Sequence, residues 1–130
     1  MRAALEVAVA AITPALATAW ENAAFVPPAA TTPYQEVHVL FADPDNPVIG
    51  PGYVEQGYMQ VSLMYPLAAG SVDAGTRAKL IRDTFRRGLS LTNSGVVVTI
   101  DKTPAIGNGI PDGSRWRLPV KIPFRANFLT

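Results

Sequence analysis

The segment Gly57–Gly88, GYMQVSLMYPLAAGSVDAGTRAKLIRDTFRRG, combines the pattern of a long strand, a tight turn and a basic helix. Its residues up to Pro66 alternate between two faces, which is typical of a strand that buries one side in a core. The face predicted to be buried carries Met59, Val61, Leu63 and Tyr65, and the other carries Tyr58, Gln60, Ser62 and Met64. The rest of the chain is predicted to cover or extend this segment.

The helix is predicted to follow a turn at Pro66 and Gly70. Ser71 stands at the N-cap position, and Asp73 places a favourable negative charge in the first turn. Gly88 is placed to end the helix in a left-handed conformation. One stripe at helical spacing is apolar and consists of Ala74, Ala78, Ile81 and Phe85. The opposite side is predicted to carry five basic residues, which are Arg77, Lys79, Arg82, Arg86 and Arg87.

A second, shorter helix is predicted at the N-terminus. Leu5, Val9 and Ile12 form its apolar stripe. Pro14 disfavours a helical conformation at the preceding residue, so the helix is expected to end near Ile12. The alanine-rich start also has some features of a secretory signal, but Glu6 and Pro14 interrupt the apolar region. A short amphipathic helix is therefore the better interpretation.

Three further strands are predicted, at Trp20–Phe25, Tyr34–Ala42 and Val96–Ile100. The second of them alternates in polarity, and the third is rich in β-branched residues. The turn-rich connection Asp43–Gly52 allows Tyr34–Ala42 to pair antiparallel with the central strand. The order of strand, helix and strand around Gly57–Gly88 predicts a crossover if the two strands are parallel.

The most regular pattern of the sequence is the last strand, Ser114–Asn127. One parity is apolar throughout and consists of Trp116, Leu118, Val120, Ile122, Phe124 and Ala126. Burying five of these large side chains contributes roughly 1.5–3 kcal/mol each, which together is comparable with the net stability of a domain. The other parity contains Pro119 and Pro123, which lack N–H donors. It predicts that this strand lies at an edge of the sheet.

Composition excludes several classes of site. The 130 residues include no cysteine and one histidine, His38, so a thiolate or zinc site is not expected, and neither is a cofactor. His38 has no nucleophile nearby in the sequence, which argues against catalysis. Asp43 and Asp45 begin like a calcium loop, but Pro47 occupies a ligand position. No apolar run is long enough to span a bilayer.

The loop Lys102–Gly113 contains the only other motif of note. Its Gly107-Asn108-Gly109 sequence is not a dinucleotide fingerprint, because the third glycine is misplaced and no helix follows. A loop of this length without secondary structure is usually functional or disordered. Asn108 is therefore part either of a loop that docks onto a partner protein or of a flexible loop without such a role.

These patterns predict one domain over residues 1–130 with an α+β fold. The sheet is expected to be mixed or mainly antiparallel, with four to five strands packed against two helices. The basic residues of the helix and of the last strand form either a phosphate-binding surface or, alternatively, a solvated face or a protein interface. Ten acidic residues nearly balance eleven basic ones and leave a net charge of +1, which favours a solvated face or a protein interface over phosphate binding.

A set of short stretches extends over nearly the whole chain and consists of Ala19-Trp20-Glu21-Asn22, Phe25, Pro27-Pro28, Pro33-Tyr34, Gly57–Pro66, Phe85-Arg86-Arg87-Gly88, Arg115-Trp116, Pro119-Val120 and Phe124-Arg125-Ala126. In their order and spacing, these stretches resemble the small tail terminator proteins of long-tailed bacteriophages. The resemblance implies a non-enzymatic virion protein at the head-proximal end of the tail, assembled in the host cytoplasm. A homo-hexameric ring would cap the tail tube, end its polymerisation and join the head connector.

A ring requires one patch on each subunit to meet a different patch on the next. The candidate interface residues are Arg82, Arg86, Arg115, Arg117, Lys121, Arg125 and Asn108. Expected partners are further copies of the chain, the tail tube protein and the head–tail connector or stopper protein. DNA would pass through the ring without specific binding, and no membrane is involved. The alternative is a stopper-side connector or adaptor that contacts DNA or the portal complex.

Overall fold

The computed structural model describes residues 2–29, 31–46, 49–67, 70, 72–93 and 95–128. Helix α1 spans Arg2–Ala10 and helix α2 spans Val72–Thr84. The strands are β1 Ala17–Trp20, β2 Tyr34–Phe41, β3 Tyr53–Pro66, β4 Ser90–Asn93, β5 Val96–Thr99, β6 Ala105–Ile106, β7 Ile110–Asp112 and β8 Arg115–Phe128. The α+β class with two helices is as predicted.

Within the described residues the strands form one mixed sheet of eight strands, more than the four to five predicted. The main order is β1-β2-β3-β8-β5-β4, and β6 and β7 add to β8. Only β1 and β2 pair in parallel among the described strand pairs. The predicted antiparallel pair of β2 and β3 is confirmed, with Val37 opposite Val61. Since β8 is antiparallel to both β3 and β5, those two strands run in the same direction, as the crossover prediction required.

Both helices pack on one face of the sheet, where they close a single core. The predicted apolar stripes are confirmed, because Leu5, Val9 and Ile12 of the N-terminal segment and all four stripe residues of α2 are buried. From the sheet, Met59, Val61 and Leu63 are fully buried against them. The apolar residues of β8 from Leu118 to Ala126 are buried as well, whereas Trp116 is only partly buried. Side-chain direction repeats every two residues in a strand and every 3.6 residues in a helix. The apolar residues follow these two periods, which explains why each element turns one apolar face towards the core.

The prediction that β8 is an edge strand is wrong. One side of β8 pairs with β3 along its whole length, and the other side pairs in pieces with β7, β6 and β5. The carbonyl oxygen of Pro119 accepts a hydrogen bond from Gly107 N, 2.8 Å away, so the prolines face the interrupted side. Because the two prolines lack N–H donors, only short strands pair with that side of β8, but the side is not an unpaired edge.

The bounds of several strands differ from the predictions because these strands pair with strands that are distant in the sequence. The first strand covers Ala17–Trp20 and not Trp20–Phe25, because its register is set by parallel pairing with Tyr34–Val37. The loop Lys102–Gly113 was predicted without secondary structure, yet it contains β6 and β7, both held by β8. Strand β4 was not predicted at all.

The helix ends also need correction. Helix α1 ends at Ala10 and continues only as a turn to Ile12. Helix α2 ends at Thr84, four residues before Gly88, although Gly88 does adopt the predicted left-handed conformation with φ of 89°. The N-cap prediction falls on Ser71, which lies outside the described residues. Arg77 was predicted on the exposed side of α2, but it is buried, with 6% of its surface accessible.

Candidate functional site

The outer face of the sheet, opposite the helices, carries most of the candidate interface residues. In β8 the parity that leaves the core contains Arg115, Arg117, Lys121 and Arg125 beside the two prolines. Register places these residues next to Gln56–Pro66 of β3, with β2 beyond. Alternation along a strand therefore brings four basic side chains to one face.

Arg115 is used inside the subunit. It has only 6% of its surface exposed, and its guanidinium donates to the carbonyl oxygens of Thr32, Pro28 and Ala29 at 2.6, 2.8 and 2.9 Å. It also lies over the Tyr34 ring, 4.6 Å from the centroid. Arg115 thus fastens the proline-rich loop before β2 to the outer face of the sheet. A part in an assembly interface stays a prediction for this residue.

Arg117 is largely neutralised by two carboxylates. Its Nη2 atom lies 3.1 Å from Oε1 of Glu36 in β2, and its Nε atom lies 2.9 Å from Oδ2 of Asp112 in β7. The three side chains are partly exposed. Arg117 therefore links three strands across the outer face, and the local charge that it presents to a partner is small.

Lys121 and Arg125 are the free basic residues of this face. Both are exposed, and neither forms an ion pair within the described part of the chain. Lys121 Nζ lies 4.4 Å from the centroid of the Tyr58 ring, which holds the ammonium group over the sheet. We call Lys121, Arg125 and Asn108 the outer patch.

A shallow groove of about 360 Å³ lies beside Lys121 of the outer patch. It is lined by Gln60, Ala105, Gly107, Pro119 and Lys121. Asn108 follows Gly107 in the exposed turn between β6 and β7, so the structure brings Asn108 to the same region as Lys121. The pairing of β6 with β8 is the cause, and nothing local in the sequence indicates it.

The two candidate residues of the helix lie elsewhere. Helix α2 packs on the core face of the sheet, so Arg82 and Arg86 belong to the opposite layer from Lys121. Arg82 is half-buried, and its Nε atom donates to the carbonyl oxygen of Pro104 at 3.0 Å, which ties α2 to the start of β6. Arg86 is exposed. The seven predicted residues therefore do not form one continuous patch.

Two exposed apolar side chains at the end of β2 were not among the candidates. Leu40 and Phe41 are 43% and 45% exposed, and Phe41 contacts Phe124 edge to face at 5.9 Å between ring centroids. Strand β1 pairs only with Tyr34–Val37 and leaves this end of β2 beyond its reach. The sequence did contain a signal for this exposed pair, namely two consecutive apolar residues at the end of a strand. Successive side chains of a strand point to opposite faces, so the core can bury only one of them.

Glu21, in the turn after β1, covers the edge of β2 next to this apolar pair. Its Oε1 atom accepts a hydrogen bond from the backbone N–H of Val39 and forms an ion pair with Arg2 at 2.8 Å. The backbone hydrogen bond and then Arg2 lower the pKa of the Glu21 carboxyl below its usual value. Glu21 therefore joins α1, the turn after β1 and β2 through one carboxylate.

The described residues provide no metal site, because no three histidine, cysteine, aspartate or glutamate side chains among them cluster closely enough to hold an ion. His38 is exposed on the outer face of β2. Neither helix combines the length and apolar character that crossing a membrane requires, as far as the described chain extends. The exposed basic residues of the outer patch and the exposed apolar end of β2 are features suited to contact with other proteins.

Comparisons with known proteins give a consistent result. A family model described as phage tail terminator protein matches residues 1–124. Six chains of solved structures match the fold. One of them has a TM-score of 0.80 and 27% sequence identity, and the match covers 99% of this chain and 94% of that chain. No curated protein sequence matches the chain.

Proposed function

We infer from the match of residues 1–124 that the chain belongs to the phage tail terminator family, a structural and non-enzymatic family of virion tail components. Within that role we propose that the chain forms a hexameric ring at the head-proximal end of the tail. The ring caps the tail tube, ends its polymerisation and provides the surface for head–tail joining.

The observation that carries this proposal is the extent of the match. It includes both helices, β1 to β7 and most of β8, so it covers the layer of helices as well as both faces of the sheet. The solved structure of the same fold also corresponds over nearly its whole length. A match over nearly the whole described chain, and not over one short segment, therefore supports the family role.

A ring needs two different surfaces on each subunit. We propose the outer patch, Lys121, Arg125 and Asn108, as one of them, because its charges are exposed and not neutralised within the described structure. The exposed end of β2, Leu40 and Phe41, supplies the apolar contact that the core of an interface usually contains. Arg86, exposed near the end of α2, is a further candidate.

Arg115, Arg117 and Arg82 are proposed to act within the subunit. Each donates to groups of the same chain, and together they hold the loop before β2, the strand β7 and the start of β6. Strands β6 and β7 border the outer patch. The proposed contribution of the three arginines to assembly is therefore to position neighbouring backbone.

The ring is tested by electron microscopy of tubes assembled from the cognate tail tube protein with this chain added. Averaged images of tube ends should show an additional disc with sixfold symmetry at one end only. Discs of another symmetry would contradict the hexamer. A failure to bind tubes, together with DNA binding that weakens steeply with salt, would instead favour a connector that contacts DNA.

A further inference from the structure

A second cavity, away from the outer patch, is lined in part by a buried arginine near the middle of α2. Its volume is about 210 Å³, and it is lined by Pro14, Tyr65, Asp73, Thr76, Arg77 and Leu80. Arg77 is 6% exposed, and its Nη1 atom donates to the carbonyl oxygen of Pro14. The Nε and Nη2 atoms are buried and have no hydrogen-bond partner in the described chain.

These two nitrogens have a specific geometry. Nε and Nη2 lie on the same side of the planar guanidinium, and their N–H bonds run side by side. A carboxylate presents two oxygens at the matching separation, so it can accept both hydrogen bonds at once. The third nitrogen, Nη1, is already used by Pro14 and fixes the orientation of the group.

The surroundings favour one negative charge. A buried cation without a counter-ion is unfavourable, and Arg77 remains charged although desolvation lowers its pKa. The Tyr65 hydroxyl, from a half-buried side chain on β3, provides a further donor, and burial raises the pKa of this phenol, so it stays protonated.

Asp73 limits the charge that the cavity accepts. It lines the same cavity and lies one helical turn before Arg77, yet the two form no ion pair within the described structure. One cation opposed by one nearby carboxylate favours a monoanion over a dianionic phosphate. The planar fork selects a two-oxygen group, and the apolar walls of Pro14 and Leu80 suit the carbon that bears it.

We propose that this cavity is a binding site for a single carboxylate group, held by Nε and Nη2 of Arg77 and by the Tyr65 hydroxyl. The carboxylate is supplied either by a small free acid or by an acidic group of a second copy of the chain. Carboxylate binding at this site does not depend on the proposed role in the tail. It can be tested with the purified chain alone, without any other tail component.

The test follows the Nε–Hε signal of Arg77 in nitrogen-edited NMR spectra of the full chain. Sodium acetate is titrated at constant ionic strength, and in a second series the protein itself is concentrated. The exposed Arg87 provides the matched control within the same segment. A saturable shift with acetate, absent at Arg87, identifies a free acid as a ligand.

If the shift accompanies protein concentration instead, and Arg77→Met weakens self-association, the carboxylate comes from a second copy. Arg77→Lys keeps the charge but lacks the fork, so binding measured at the Tyr65 ring signals should weaken about tenfold or more. A signal from Arg77 that moves in neither series, or that moves only together with Arg87, would overturn the proposal. The wild-type titration decides this even if a variant fails to fold.

Discussion

The guanidinium carbon of Arg115 lies 4.6 Å from the centroid of the Tyr34 ring, so the start of β8 is stacked on the start of β2 across the intervening β3. The same guanidinium binds three carbonyl oxygens of the loop before β2. One buried side chain thus joins a long loop to the outer face of the sheet.

Arg115→Met should therefore destabilise the fold. The variant removes the charged donor from three carbonyl groups in partly buried hydrogen bonds, which costs about 2–3 kcal/mol of unfolding free energy. Arg125→Met is the matched control on the same face, and its exposed position predicts a change within about 0.5 kcal/mol. Denaturant unfolding of both variants measures the difference. Equal small effects would show that Arg115 does not hold the loop.

Gly57 is required where β3 passes β2. A Cβ atom at this position would overlap the backbone carbonyl oxygen of Leu40, which cannot rotate away. Gly57→Ala should cost at least about 1–3 kcal/mol, the usual range for overpacking. Gly75→Ala in α2 is the control, because a Cβ there meets no atom within 4 Å, and it should stabilise the helix by about 0.5–1 kcal/mol. Thermal or denaturant unfolding measures the change in unfolding free energy of each variant relative to the wild type. Changes of the same sign in both variants would contradict the packing around Gly57.

Glu21 predicts a pH dependence of stability. Because the folded chain lowers the pKa of this carboxyl from 4.5, its stabilising effect is present above 4.5 and is lost as the pH falls through the lowered value. The group is partly exposed, so the effect is expected to be modest, about 0.2–1 kcal/mol.

Glu21→Gln should therefore reduce the unfolding free energy at neutral pH and have a progressively smaller effect in acid. The measurement is a series of denaturant unfolding curves of both proteins from neutral pH to well below 4.5. A difference between the two proteins that stays constant or grows on acidification would exclude the ionised carboxylate as its source.

The outer patch predicts which charges matter for assembly. Lys121→Glu with Arg125→Glu should abolish or strongly weaken ring formation on tubes, while folding is retained because both side chains are exposed. Arg86→Glu with Arg87→Glu changes the net charge equally at the end of α2 and provides the comparison. Images of tube ends measure both. Loss of rings only in the helix variant would move the interface from the sheet to α2.

Much of the fold can be predicted from the local periodicity of apolar residues. The contacts that basic side chains form within the chain cannot be predicted in this way. Alternation in β3 and β8 and the stripe of α2 predicted the core because side-chain direction is a local property. Arg77 lay within reach of the same reasoning, since it falls three residues after Ala74 and four before Ile81, on the buried stripe. Its charge alone suggested an exposed position.

The remaining differences depend on contacts between distant residues. Strands β6 and β7 are only two and three residues long and exist because β8 offers them an edge. The carbonyl groups bound by Arg115 lie 83 to 87 residues earlier in the chain. No pattern within either segment indicates that they meet, so the internal role of Arg115 required the structure.

If the chain ends the growth of the tail tube, the length of the tubes depends on how much of the chain is present. Cognate tube protein is polymerised with increasing amounts of this chain, and the lengths are measured in electron micrographs. The terminator role predicts that tubes become shorter as the chain is added and that the shortened tubes carry a ring at one end. Tubes of unchanged length, with bare ends at every ratio, would contradict it.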